Sequence, residues 1–302
     1  MSEIILHHYD TSPFSEKVRL MLGIKGLAWR SVIQPVIMPK PDLIPLTGGY
    51  RRIPVMQIGA DVYCDSQVIL AEIERRHPSP AVVRGADWAV NLWADRLWFQ
   101  ASVAVIFAEI GDNIPKAFAD DREKLSGRPF DVQAMKAAAP FARAQWRAYA
   151  AWVEDGLADG DFLGGATPSL ADIAVWMNVW WAGGAARKTT QELLTDLDRT
   201  KAWAERVRGI GHGQRSEMTP GEAVVVAAKS APDENLACDP NDLSGAKKGD
   251  RVVVQADDYG RDPVEGVLIG LSKDRVTLAR EGRELGVTHV HFPRAGYVLA
   301  KR

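Results

Sequence analysis

Ile4-Ile5-Leu6-His7-His8-Tyr9-Asp10-Thr11-Ser12-Pro13-Phe14-Ser15 is the stretch that decides the fold. Ile4 to His8 is a short run of strand type. Ser12-Pro13 then has the form of a helix cap followed by a first helical residue: the serine oxygen accepts from a helix N–H that has no partner in the helix, and proline has no N–H to lose there. Phe14, Val18, Met21 and Leu22 follow at the i, i+4, i+7, i+8 spacing of a helix with one apolar face, which Gly26 closes. A strand running through so short a loop into a helix predicts an α/β unit.

Working outward, a second strand is expected at Arg30 to Gln34, followed by a connection carrying Pro35, Pro39, Pro41 and Pro45. Val55 to Ile58 and Val62 to Cys64 flank Gly59-Ala60-Asp61 as a hairpin. Asp65-Ser66 caps a helix carrying Ile69, Leu70 and Ile73 and stopped by Pro78. Residues 1–80 thus read as β-α-β followed by β-β-α.

From residue 85 to 208 the period changes to that of helices. Trp88, Leu92 and Phe99 share a face of a first long helix, and Phe141, Trp146, Tyr149, Trp152 and Val153 belong to another. Ser169-Leu170-Ala171-Asp172 is a capping box, and Thr190 to Val207 supplies a last amphipathic helix. All ten tryptophans lie at or before Trp203, where most of them fill the expected helical core. Gly209, Gly211, Gly213, Pro220 and Gly221 punctuate residues 209–221 as a linker. Beyond it, residues 222–302 hold one short helical segment and then five β-type runs beginning at Arg251, which suggests a small SH3-like barrel.

A net charge of −2 and 25% charged residues give no bulk attraction to a polyanion, so nucleic acid is not expected as a partner. Two cysteines, Cys64 and Cys238, are too few for a disulfide framework or a thiolate zinc site, which points to a reducing cytoplasm and no metal. No apolar run is long enough to span a bilayer, and Met1 to His8 lacks the character of a signal peptide.

Three places can carry chemistry. At the Ser12 helix start, free N–H groups and the helix dipole favour an anion. Lowering a thiol pKa by about two units takes roughly 2.7 kcal/mol. A hydroxyl donor contributes about 1.5 to 3 and a helix terminus about 0.3 to 2 kcal/mol, so together they suffice. In Arg51-Arg52-Ile53-Pro54-Val55, a cis Ile53-Pro54 bond would let Val55 pair with an extended peptide. Asp65 and Ser66 open a helix where a carboxylate and a hydroxyl can hold the ammonium and carboxylate of a ligand. Taken singly, the three read as two helix caps and an ordinary proline turn.

Together, and followed by an all-helical region with a Ser-x-x-Asp box, they resemble the cytosolic glutathione transferase family over residues 1–208. The resemblance implies a thioredoxin-like domain, a helical domain and pairing as a homodimer. It also implies glutathione as co-substrate with a small electrophile as partner. Ser12 takes the place of the serine that stabilises the thiolate, beside Phe14, with Tyr9 and Ser15 as rivals. Pro54 takes the place of the family's cis-proline, Val55 its peptide-pairing residue, and Asp65 and Ser66 its γ-glutamyl clamp. Arg52, with Lys40 second to it, takes the place of the basic group that approaches the glycyl carboxylate. The sequence departs from the family in Asp65, one methylene shorter than the usual glutamate, and in residues 216–302, which have no counterpart in the two-domain enzyme. The alternatives are a non-catalytic interaction protein acting through the C-terminal β region, and a glutaredoxin-like reductase, which the absence of cysteine beside Ser12 disfavours. His289 and His291 alternate on a strand and read as surface histidines rather than metal ligands.

Overall fold

The computed structural model describes residues 3–282 and 285–302; Met1 and Ser2, which open the first segment read above, lie outside the described residues. Strand β1 (Ile5–His8) leads through Ser12 into α1 (Pro13–Ile24), then β2 (Ala28–Ile33), α2 (Leu43–Thr47), β3 (Val55–Ile58), β4 (Asp61–Cys64) and α3 (Ser66–Arg76). The strands stand in the order β4-β3-β1-β2, with β1 parallel to β2 and antiparallel to β3. This is the thioredoxin-like arrangement expected of the first 80 residues.

Because side chains alternate across a strand, the sheet divides its apolar residues between two cores. Met56, Ile58 and Tyr63 face α1, α3 and the helical region, whereas Val55, Val62 and Cys64 face α2 and the C-terminal strands. Cys64 is accordingly a fully buried thiol.

The helical region begins with α4 (Asp87–Trp93), which continues through a π-helical turn (Ala94–Trp98) into α5 (Phe99–Ile110). The turn is anchored by a buried polar chain. The Asn178 amide donates to the Ala94 carbonyl at 3.1 Å, the Ser102 hydroxyl donates to Asn178 at 2.9 Å, and the Trp146 indole donates to Ser102 at 3.0 Å. Of the three residues expected to share one face, Trp88 packs on the core, Leu92 is exposed and Phe99 is half-buried outside it. Then come α6 (Lys116–Ser126), α7 (Val132–Gly156) and α8 (Leu170–Ala185). The capping box of α8 is formed by Ser169 and Asp172. The single helix expected over Thr190 to Val207 is two, α9 (Arg187–Leu193) and α10 (Asp198–Ile210), broken where Asp196 takes φ 63°. Trp29, Trp98, Trp146, Trp176 and Trp203 are fully buried in this core.

The segment read as a linker is an added strand. β5 (Gln214–Glu217) pairs in parallel with β2, Ala28 opposite Gln214. Gly213 serves close approach rather than flexibility: it has φ 70°, and a Cβ there would stand 2.5 Å from the Leu27 carbonyl oxygen. α11 (Pro220–Ala228) follows, its Ala223 packed on Ile5 and Val32.

The remaining strands are β6 (Arg251–Ala256), β7 (Val264–Leu271), β8 (Arg275–Gly282), β9 (Gly286–Pro293) and β10 (Tyr297–Lys301). They stand in the order β10-β6-β7-β8-β9, antiparallel throughout, so that the last strand returns beside the first as in an SH3-like module. The module is joined edge to edge with the N-terminal domain. β9 pairs in parallel with β4, Asp61 opposite His289 and Tyr63 opposite His291, giving one ten-stranded sheet. His289 and His291 are therefore buried in this seam and are not surface residues. A free strand edge is a row of unpaired donors and acceptors, and β4 and β9 satisfy each other's.

Candidate functional site

Ser12 caps α1, its hydroxyl oxygen accepting from the Ser15 N–H at 3.2 Å. It is 1% exposed. The Tyr9 phenol is turned towards Ser12 and Arg122; burial raises its pKa, with Arg122 and the serine hydroxyl working the other way. Ser15 is buried, and its hydroxyl has no partner. Phe14, one residue beyond the proline, packs edge-on against Phe99 with ring centroids 4.8 Å apart.

The Ile53-Pro54 bond is cis. Asp65 caps α3 with φ 94°, accepting from the Gln67 N–H at 2.9 Å, and Ser66 is the first residue of that helix. Phe14, Tyr50, Arg52, Ile53, Pro54, Asp65 and Ser66 converge with Tyr259 on one small cavity of about 20 Å³. A neighbouring cavity of about 40 Å³ shares Phe14, Arg52, Asp65 and Tyr259 and adds Asp95 and Arg96 from the π-helical turn, with Asp258 and Tyr297 from the β module. Six of the eight residues anticipated from sequence thus meet. Val55 does not line either cavity: it lies inside the sheet between His7 and Cys64, and the residue before the proline, Ile53, faces the space instead. Ser12 lines neither cavity. Lys40 is buried outside them; burial, then Arg122, pull its ammonium pKa down to about 8.

The remaining walls come from the C-terminal module. Arg52 donates to Asp258 Oδ1 at 2.5 Å, and its guanidinium lies 4.2 Å from the centroid of the Tyr259 ring. Burial raises the Tyr259 phenol to about 12. The Tyr297 hydroxyl donates to Asp65 Oδ2 at 2.9 Å and lies 3.2 Å from the Tyr50 hydroxyl. The charged groups at both ends of the cleft are paired from within.

Residues 6–81 match the family model described as Glutathione S-transferase, N-terminal domain, and residues 104–206 that of the C-terminal domain. The crystal structure of a GST-like protein from Pseudomonas syringae is similar over 100% of both chains, at 38% identity and a TM-score of 0.78. The chain belongs to the glutathione S-transferase family. The structure of a tau-class glutathione S-transferase from mango, Mangifera indica, shares the fold at 16% identity, covering 68% of this chain and 88% of that one with a TM-score of 0.53. A probable glutathione S-transferase from Solanum tuberosum is 29% identical over 83 residues, 28% of this chain and 38% of that protein.

The family models stop at residue 206, whereas the Pseudomonas syringae relative is matched through the β module as well. Sequence reasoning missed the cavity-lining residues that come from outside the thioredoxin-like domain: Asp95, Arg96, Asp258, Tyr259 and Tyr297. Asp257-Asp258-Tyr259-Gly260 is visible as a turn, but only the β4–β9 pairing brings that turn over Arg52. Among the described residues no group of histidine, cysteine and carboxylate side chains is placed to hold a metal, and no helix is long and apolar enough to cross a membrane.

Proposed function

We propose that this protein is a glutathione transferase whose tripeptide lies across Ile53, with its γ-glutamyl end at Asp65 and Ser66 and its glycyl carboxylate at Arg52. The observation that carries the reading is the convergence of Arg52, Ile53, Asp65 and Ser66 on one cavity beside Phe14, in a chain of this family. The sulfur would then come to the N-terminus of α1, where the dipole and the Ser12 hydroxyl stabilise a thiolate. Held there, the thiolate attacks a small electrophile seated against the helical region: its lone pair forms the carbon–sulfur bond and the leaving group departs with the displaced electron pair. Two free cysteines agree with work in a reducing cytoplasm, and family membership supports pairing as a homodimer.

A second reading, a non-catalytic binding protein, is favoured by one observation: the cleft has room for a few water molecules, far less than a tripeptide. One pair of measurements separates the two. Calorimetric titration with reduced glutathione is expected to show binding that Ser66→Ala weakens, and conjugation of a halogenated nitroaromatic is expected to slow in Ser12→Ala. Absence of binding at millimolar glutathione leaves the non-catalytic reading.

A further inference from the structure

We propose that the Asp257–Gly260 turn is an internal stand-in for the glycyl end of the tripeptide, and that a peptide thiol enters by displacing it. The inference rests on the glutathione site proposed above. Arg52 is the group assigned to the ligand's terminal carboxylate, and Asp258 places a carboxylate on it at 2.5 Å. Asp65 is assigned to the ligand's ammonium donor, and the Tyr297 hydroxyl donates to it at 2.9 Å. A carboxylate stands where a carboxylate belongs and a donor where a donor belongs, at both ends of one cleft. The two mimics come from separate parts of the β module, the turn between β6 and β7 and the first residue of β10.

The fit around the turn is close. The Gly260 N–H donates to the Leu125 carbonyl of α6 at 2.7 Å, and Arg96 donates to Asp257 Oδ1 at 2.5 Å. Gly260 has φ 56°, and a Cβ there would stand 2.8 Å from both Arg52 Nε and Leu125 Cδ1. Yet the two mimics are held differently. Tyr297 pairs with Ala256 in the sheet and packs on the shared core. The turn is tied to the sheet at its first residue, where the Asp257 N–H donates to the Gly296 carbonyl at 3.0 Å, and beyond that it is held by polar contacts and one aromatic face. It is the part that yields, while Tyr297 stays as a wall. A free carboxylate on the ligand is what competes with Asp258 for Arg52, so the structure selects peptide thiols ending in a carboxylate over their amides.

The test is calorimetric titration of reduced glutathione onto the full chain in four forms: wild type, Asp258→Asn, Asp258→Ala with Tyr259→Ala, and that double variant with Ser66→Ala added. The double variant is expected to bind about tenfold or more tightly than wild type, the change that one displaced charge-assisted hydrogen bond corresponds to. Asp258→Asn is expected in between, and Ser66→Ala should reverse the gain. Circular dichroism checks that each variant is folded. In wild type, glutathione is also expected to speed tryptic cleavage after Arg261, as the turn leaves its seat. Equal affinities across wild type and the turn variants overturn the inference and leave the glutathione site standing. Weaker binding in the variants also overturns it, by making the turn part of the binding surface. No binding in any form removes the glutathione reading, and this inference with it.

Discussion

His291 Nε2 lies 2.8 Å from Asp61 Oδ1, across the line where the last-but-one strand of the chain meets the thioredoxin-like sheet. Burial lowers the histidine pKa, with Asp61 working the other way, so the ring is neutral at pH 7. The carboxylate is an acceptor only, which puts the ring proton on Nε2 and leaves Nδ1 to accept from the Thr277 hydroxyl at 3.0 Å. The ring is also stacked on Tyr63, centroids 4.3 Å apart. Asp61 Oδ2 accepts the Asp233 N–H at 2.9 Å. Thr277, His291 and Asp61 resemble a hydrolytic triad in connectivity, but all three are buried and serve to bolt the two halves together.

Asp61→Ala therefore strands the buried His291 ring N–H and removes the acceptor of the Asp233 N–H, whose residue is exposed. The expected loss is about 1 to 3 kcal/mol, the cost of one unsatisfied buried group. Urea unfolding followed both by tryptophan fluorescence, which reports the N-terminal side, and by far-ultraviolet dichroism should shift together, because the sheet is continuous. Separate midpoints for the two probes would count against a shared seam.

Acid should destabilise the protein well before its carboxylates titrate. Burial holds His7 down to about 4, and burial together with Arg19 holds His8 down to about 3. In the unfolded chain both take a proton near pH 6.5, whereas the folded chain refuses it until the lower values are reached. The unfolded state thus binds more protons as pH falls below 6.5, and stability drops by up to about 1.4 kcal/mol per pH unit for each histidine. The melting temperature is expected to be flat between pH 7 and 8 and to fall steadily from pH 6.5 to 5. An unchanged melting temperature across that range would contradict the burial of these rings.

Asp172 is a centre on which several elements depend. Its carboxylate accepts from the Leu163, Gly164 and Ser169 N–H groups and from the Trp203 indole at 2.8 Å. Asp172→Ala should cost more than about 3 kcal/mol, since a lost cap alone is worth about 1 and further buried donors are stranded. Trp203→Phe removes one of these bonds and should cost less. Thermal unfolding of the two variants gives the ranking.

The two thiols should behave differently. Burial pushes the Cys64 thiol well above its usual range, and Cys64 has no exposed surface, whereas Cys238 is half-buried. A thiol reagent at pH 8 is expected to label Cys238 in the native protein and Cys64 only on unfolding. Equal native labelling of both would argue against the tight core beneath β4.

Local patterns made much of this readable in advance. The Ser12-Pro13 cap, the capping box at Ser169 and the hairpin around Gly59 depend on residues close in sequence, and each formed as its spacing implies. Phe14, Arg52, Ile53, Pro54, Asp65 and Ser66 were named in advance through the resemblance they carry, whereas Tyr50 and Gln67, which line the same cleft, were not. What sequence hid was long-range pairing. Gln-Arg-Ser-Glu at 214–217 has no strand propensity, and only the parallel edge of β2 makes it one. His289 and His291 alternate like surface residues because a strand paired at an exposed edge and one paired in a seam look alike until the neighbour is known. Asp258 and Tyr297 lie about two hundred residues from the groups they touch, and no local rule reports such a partner.

Among the described residues the continuous sheet has two outer strands, and neither invites polymerisation. β5 carries Gln214, Arg215, Ser216 and Glu217, all exposed, and β10 ends in Lys301 followed by Arg302. Charged, short margins repel the strand-to-strand stacking through which sheet proteins aggregate. Severing the C-terminal third would replace such a margin with Asp61 to Cys64, a buried and largely apolar strand, and fragments ending near residue 208 are expected to clump on expression rather than remain dispersed.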